Sequence, residues 1–180
     1  MCASTPLPLF RGDAKKADQV LAVDDKMARE KSRLVALRIA MLSLRSMETW
    51  RRPFTDYDSI VILLAVAAIS GEKLLRTALE AEFQNLAKPI PRDRLTPCNI
   101  SSIAEATGLN RETTRRKVNR LLAAGLIERS ADGSINFTPG FSQRSEPMTL
   151  VRAQLDILNR TANELVRDGV LKWRSRADSE

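Results

Sequence analysis

Three short breaks within residues 98–140 constrain this chain more than anything else in it. Gly108-Leu109-Asn110 interrupts one helical pattern, Gly125 ends the next, and Asp132-Gly133 turns an alternating stretch back on itself. Each break has a physical reason. Glycine lacks a Cβ and takes positive φ without strain, so Gly108 suits a tight turn and Gly125 a helix C-terminus. The side-chain oxygen of Asn110 suits an N-cap, where it accepts from the free amides of the next first turn. Asp-Gly is a strong hairpin signal. Between the breaks, Ile100 to Thr107 reads as a short amphipathic helix and Arg111 to Ala124 as a second one. Leu126 to Arg129 and Ser134 to Thr138 alternate as strands do.

Helix, turn, helix and hairpin make a winged helix-turn-helix, and long helical patterns flank it. Val20, Val23, Met27, Leu34, Leu37, Met41 and Leu44 recur at three- and four-residue steps, which predicts a helix from about Lys15 to Trp50. Pro53 ends it, and Thr55 or Asp56 caps the next. That next helix runs through Ile60 to Ile69, is apolar all round, and is expected to be the most buried element. It is expected to break or kink at Ser70-Gly71 and to resume from Glu72 to Leu86. Lys88-Pro89-Ile90-Pro91 cannot be helical and marks a domain boundary. A last helix is expected from about Glu146 to Lys172, with Val151, Leu155, Leu158, Ala162 and Leu165 as a narrow pairing seam. The predicted fold is therefore mainly α with a small β-hairpin wing. It divides into a flexible arm at 1–14, an N-terminal helical region at 15–90, the winged domain at 91–145, and a C-terminal dimerisation helix and tail at 146–180.

The second helix of the motif carries the chemistry. At about 100° per residue, Thr114, Val118, Leu121 and Leu122 share one side and face the core. Arg116 lies opposite, flanked by Glu112, Thr113 and Arg120, with Arg111, Arg115 and Lys117 on the shoulders. Residues 111–120 hold five positive side chains and one negative. A helix that enters the major groove N-terminal end first would set Arg111, Glu112, Thr113 and Arg116 nearest base edges. Arginine grips guanine bidentately and glutamate accepts from cytosine, although Glu112 equally suits the positive end of its own helix. Arg115, Lys117 and Arg120 are expected at phosphates, with Ser101 and Ser102 donating there beside free amides. Asn110 is at the turn, and Arg129 begins the wing within reach of a minor groove.

The string from Ile100 to Gly140 resembles the winged helix-turn-helix of bacterial transcription regulators, most closely the MarR type. The features that match are Ile103-Ala104, Gly108-Leu109-Asn110-Arg111, Val118, Leu121, Gly125-Leu126-Ile127-Glu128-Arg129 and Phe137-Thr138-Pro139-Gly140. Thr114 and Lys117 depart from that pattern, standing where such proteins often carry apolar residues. The seam of the last helix, with part of the helix at 15–50, predicts a homodimer on a roughly palindromic duplex site, with packing within one chain as the other reading. The resemblance implies an effector pocket, for which Trp50, Phe54, Tyr57 and Phe83 are candidate lining, with ordinary core packing as the other reading. A protein–protein adaptor that uses the winged fold without DNA is the alternative function.

Composition narrows the rest. The net charge is +7 and histidine is absent. Without histidine there is no Ser-His-Asp or Cys-His pair and no imidazole metal site. Cys2 and Cys98 cannot make a four-cysteine zinc site, and no phosphate-binding glycine loop occurs. No enzyme and no cofactor are therefore expected. Aromatics make up only 4% of residues, which argues against stacking platforms for single strands. Cys98 is weighed as a redox sensor or a plain buried thiol. The N-terminus does not read as a signal peptide and the longest apolar run is about half a membrane span, so the expected location is the cytoplasm. The expected partners are double-stranded DNA and a second copy, with a small-molecule effector left open and no membrane contact.

Overall fold

The computed structural model describes residues 19–51, 56–76 and 81–175. The arm at 1–14, the proposed helix start at 15–18, Pro53, Phe54, Thr55 and the tail beyond 175 lie outside the described residues. The chain is mainly helical with small two-stranded sheets. In order it forms β1 (Gln19–Val23), α1 (Asp25–Glu30), α2 (Ser32–Arg51), α3 (Tyr57–Arg76), α4 (Ile100–Thr107) and α5 (Arg111–Ala123). β2 (Ile127–Arg129), β3 (Ile135–Phe137), α6 (Ser145–Arg167) and β4 (Leu171–Ser175) follow. Single 3-10 turns occur at Ala81–Phe83 and Arg92–Arg94. The described residues fall into two compact units, 43–157 and 19–42 with 158–175.

The 43–157 unit is built on α3. Asp56 caps it: the Ser59 N–H and hydroxyl each donate to the Asp56 carboxylate at 2.9 Å. Ile62, Leu63, Ala65 and Val66 then join one buried cluster with Cys98, Ile103 of α4, Val118 and Leu121 of α5, and Ile127 and Ile135 of the hairpin. Each large side chain buried there contributes about 2 kcal/mol, so apolar burial holds this unit together. α3 is not apolar-buried all round as expected. Leu64, Ala67 and Ala68 are exposed, because α4, α5 and β3 pack against one side only. Nor does Ser70-Gly71 break it, since α3 continues to Arg76. An interior glycine costs about 1 kcal/mol against alanine but keeps its backbone donor, so the ladder survives. The expected helix to Leu86 gives way to a 3-10 turn and irregular chain, with 77–80 outside the described residues. The prolines at 88–91 lie inside this unit, not between units. Just beyond them the Thr96 N–H donates to the Ser70 carbonyl at 3.0 Å, tying the chain back to α3.

Local rules then set the motif. Asn99 and Ser102 form a capping box at the start of α4, with Asn99 Oδ1 accepting from the Ser102 N–H at 3.0 Å and Ser102 Oγ from the Asn99 N–H at 2.9 Å. Gly108 turns the chain at φ 69°, and Asn110 Oδ1 accepts from the Glu112 N–H at 2.8 Å to start α5. α5 stops at Gly125, φ 66°, where the Leu126 N–H reaches back to the Leu121 carbonyl and the Gly125 N–H to Leu122. β2 and β3 pair antiparallel, Ile127 with Phe137 and Arg129 with Ile135. The Ile135 N–H also donates to the Cys98 carbonyl at 2.7 Å, which anchors the hairpin to the segment before α4.

The second unit corrects both terminal expectations. Residues 19–23 are strand, not helix, and pair antiparallel with β4 from Gln19–Ser175 to Val23–Leu171. Helix follows only after Asp24, which caps α1 by accepting from the Met27 N–H at 3.1 Å. α1 itself ends at Lys31, whose ammonium donates to the Asp168 carbonyl at 2.6 Å. α6 stops at Arg167, short of Lys172, because the chain turns at Gly169 and the Val170 N–H bonds back to the Leu165 carbonyl. Arg38 binds Glu164 at 2.8 Å and Asp168 at 3.3 Å. Lys172 donates to Asp24 at 2.6 Å and, together with the Met27 amide, holds the Asp24 carboxyl below its usual range. No helix among the described residues is long and apolar enough to cross a membrane.

Candidate nucleic-acid interface

α5 has two unlike faces. Thr114, Lys117, Val118 and Leu121 are buried. Arg111, Glu112, Arg115, Arg116 and Arg120 are exposed, and Thr113 is half-buried. Glu112, Arg115, Arg116, Asn119, Arg120 and Ala123 line a shallow concavity on the exposed side. The exposed side thus holds four guanidiniums against one carboxylate. Glu112 and Arg115 pair at 2.9 Å, an exposed contact of little energetic weight. The guanidiniums of Arg111, Arg116 and Arg120 have no hydrogen-bond or ion-pair partner among the described residues. Asn119 shares this face and did not stand out in the sequence, because its charge is zero and only the burial phase places it beside Arg116.

Lys117 is the main correction. It is 8% exposed and points inward, not toward a phosphate. Its ammonium sits 2.6 Å from Asp56 Oδ1 and 3.6 Å from Asp58 Oδ2. Burial works against ionisation of Asp56, but hydrogen bonds from Lys117 and Ser59 prevail and hold its carboxyl below the usual range. Lys117 therefore fastens α5 to the first turn of α3 and leaves the set of phosphate contacts.

The other sites divide by whether their polar atoms are already used. Ser101 is exposed on the first turn of α4. The Ser102 hydroxyl is committed to the capping box and also donates to the Asn99 carbonyl at 2.9 Å. The Asn110 side chain is committed to the cap of α5. Arg129 is exposed at the turn end of β2, with Nη1 3.5 Å from the Gly133 carbonyl. Sequence inspection missed Arg92, which donates to Ser130 Oγ at 3.0 Å and to the Glu128 carboxylate, so it braces the hairpin from outside. That contact spans 36 positions, and nothing local announces it. At the hairpin tip, the Ser134 hydroxyl and N–H keep the Asp132 carboxyl low.

Cys98 is fully buried, and desolvation pushes its thiol up; only a long contact from Ser102 opposes this. A raised thiol in an apolar core is unreactive, so the sensor reading loses its chemical basis. Of the four aromatics weighed for a pocket, the three that are described do not converge. Trp50 lines a cavity of about 320 Å³ with Leu64, Phe137, Phe141 and Val151. There the Phe137 and Phe141 rings stack at 4.9 Å, and the Arg144 guanidinium lies 5.6 Å from the Phe141 centroid. Tyr57 is exposed and lines no part of that cavity, Phe83 lines a different one, and Phe54 lies outside the described residues. Among the described residues no group of His, Cys, Asp and Glu is arranged to hold a metal ion.

α6 presents the opposite chemistry to α5. Val151 is 41% exposed, Leu155 54% and Leu158 55%, while Ala162 is half-buried and Leu165 buried. On α2, Leu34, Leu37, Met41 and Leu44 are likewise exposed at three- and four-residue steps. Comparison with protein-family models, with curated proteins and with solved structures finds no match.

Proposed function

We propose that this protein is a sequence-specific duplex-DNA-binding transcription regulator of the cytoplasm, not an enzyme. Its reading module is a winged helix-turn-helix made of α4, α5 and the β2–β3 hairpin. The observation that carries this reading is the exposed face of α5, where four guanidiniums converge against one carboxylate on a helix fixed to the core behind it. α5 enters the major groove with Arg111, Glu112, Thr113 and Arg116 at base edges. Arg115, Arg120 and Ser101 meet phosphates, and Arg129 reaches the neighbouring minor groove. The free amides of the first turn of α4, kept in place by Asn99 and Ser102, add a further phosphate contact.

The protein acts as a homodimer. The exposed seam of α6 and the apolar stripe of α2 support this, since large apolar side chains at heptad spacing are costly to leave in water. Two-fold symmetry then calls for a palindromic site with half-sites about one DNA turn apart, or a multiple of it. A small-molecule effector fits the same scheme. Selection from a random duplex library tests the reading: a palindromic consensus is expected. Arg116→Ala should lose preference at one position, whereas Arg120→Ala should weaken all sequences alike and lower the salt slope by about one. An adaptor would select no sequence, and this result would overturn the proposal.

A further inference from the structure

A second cavity, of about 340 Å³, lies within the 43–157 unit between the latter half of α3, the loop that precedes α4, and the hairpin exit. None of its lining residues belongs to α5. Four observations bear on what it holds. Its floor is apolar, formed by Leu74, Phe83, Ile90 and Phe137. Among the described residues, its ionised lining side chains are Lys88 and Arg92, both cations, with no carboxylate beside them. The ion-pair partner of each cation lies outside the lining, Glu82 for Lys88 and Glu128 for Arg92, and Arg92 also donates to Ser130 Oγ; these contacts are solvent-exposed, and a ligand can exchange an exposed ion pair at little cost. Ser70 lines the cavity too; it is 6% exposed and its Oγ has no hydrogen-bond partner among the described residues.

Gly71 adds a fifth. It sits in the interior of α3, where glycine is unfavourable, and a Cβ built on it meets nothing within 4 Å. Packing therefore does not require a glycine there. What the missing side chain does is widen the cavity that Gly71 lines.

We infer that this cavity binds a small amphipathic monocarboxylate. The apolar body rests on Leu74, Phe83 and Phe137, and the carboxylate draws Lys88 or Arg92 from its surface partner. An apolar site with a few convergent polar groups is the usual form of a small-molecule site, and a charge-assisted bond fixes the orientation. Because Phe137 belongs to β3, the ligand touches the hairpin directly. The inference stands whether or not α5 binds DNA, and its test contains no DNA.

The probes are 4-phenylbutyrate and the uncharged 4-phenyl-1-butanol, titrated into the full chain by calorimetry and by amide chemical shifts. Saturable binding of the carboxylate is expected, with the alcohol about tenfold weaker or more. Shifts should centre on Gly71, Leu74 and Phe83. Gly71→Leu, which favours the helix, should raise Tm and abolish binding, and Lys88→Gln should weaken it several-fold. Should Gly71→Leu fail to fold, Lys88→Gln and the shift map decide. Absence of saturable binding, equal binding of the two probes, or shifts centred on Trp50 and Val151 would each overturn the inference.

Discussion

α5 and α6 are both helices with one face in water, yet those faces have opposite chemistry. α5 offers arginines and a single glutamate, while α6 offers valine and leucines at three- and four-residue steps. Water solvates the first face readily, so its guanidiniums wait for a polyanion at no standing cost. It solvates the second poorly, so burying that face against another apolar surface gains roughly 25 cal/mol per Å². On the proposed reading, one helix meets an anionic partner and the other a second copy.

The largest expected effect comes from breaking the α6 side. Leu155→Asp with Leu158→Asp should convert the protein to a monomer in sedimentation at micromolar concentration. Affinity for a palindromic site should then fall about 10²-fold or more, because the second half-site no longer binds as an intramolecular event. Affinity for a single half-site should hardly change. If the double variant stays dimeric, the seam lies elsewhere.

Breaking the α5 side is the next step down. Arg116→Ala should cost about 1–3 kcal/mol of binding to the preferred site, read by fluorescence anisotropy. Tm should hardly move, since the side chain is exposed and has no partner among the described residues. Unchanged affinity and preference would show that another face of α5 meets the DNA.

Lys117 sharpens the comparison from behind. Lys117→Ala should destabilise the fold by about 2 kcal/mol in urea melts, discounted from a fully buried pair because Asp56 is a third exposed. Lys117→Met should lose less, as it keeps the packing. DNA affinity of the folded fraction should drop only modestly. A specific loss of affinity with no loss of stability would return Lys117 to the DNA-facing set.

The smallest effect concerns acid. The Asp24, Asp56 and Asp132 carboxyls are all held below their ordinary value of 3.8. A depressed folded pKa means that their stabilisation is complete above the unfolded value. It fades as pH falls from about 3.8 through the lower folded values. Asp56→Asn should therefore flatten the acid limb of a stability–pH curve. An unchanged limb would remove Asp56 from the fold's electrostatics.

The motif is legible in the sequence because its determinants are local. Asn99, Gly108, Asn110 and Gly125 each act within a few residues of themselves, and α4 begins and ends at the expected residues. Where the deciding contact is distant, the pattern misleads. Val20 and Val23 fit a helical step as well as a strand, and what settles them is pairing with 171–175, far along the chain. Lys117 fails for a related reason. It lies only about 60° from Thr114 on the helical wheel, within the core arc, but its charge suggests solvent. Asp56, 61 positions earlier, supplies the partner that lets it stay inside. A basic residue at a position apolar in the MarR-like pattern was the available signal. Leu64 is misread in the opposite sense, because a fully apolar run cannot say which side lacks a neighbour.

On the proposed reading, Arg115 and Arg120 on the exposed face of α5 neutralise phosphates. The decisive measurement is the salt dependence of binding to a duplex drawn from the random library, for the parent protein and for an Arg115→Ala, Arg120→Ala double variant. These two guanidiniums should contribute about −2 to the log–log slope per half-site, at about 0.9 per phosphate, and the double variant should lose that share. A slope near zero in the parent, or one that the double variant leaves unchanged, would refute the phosphate assignment.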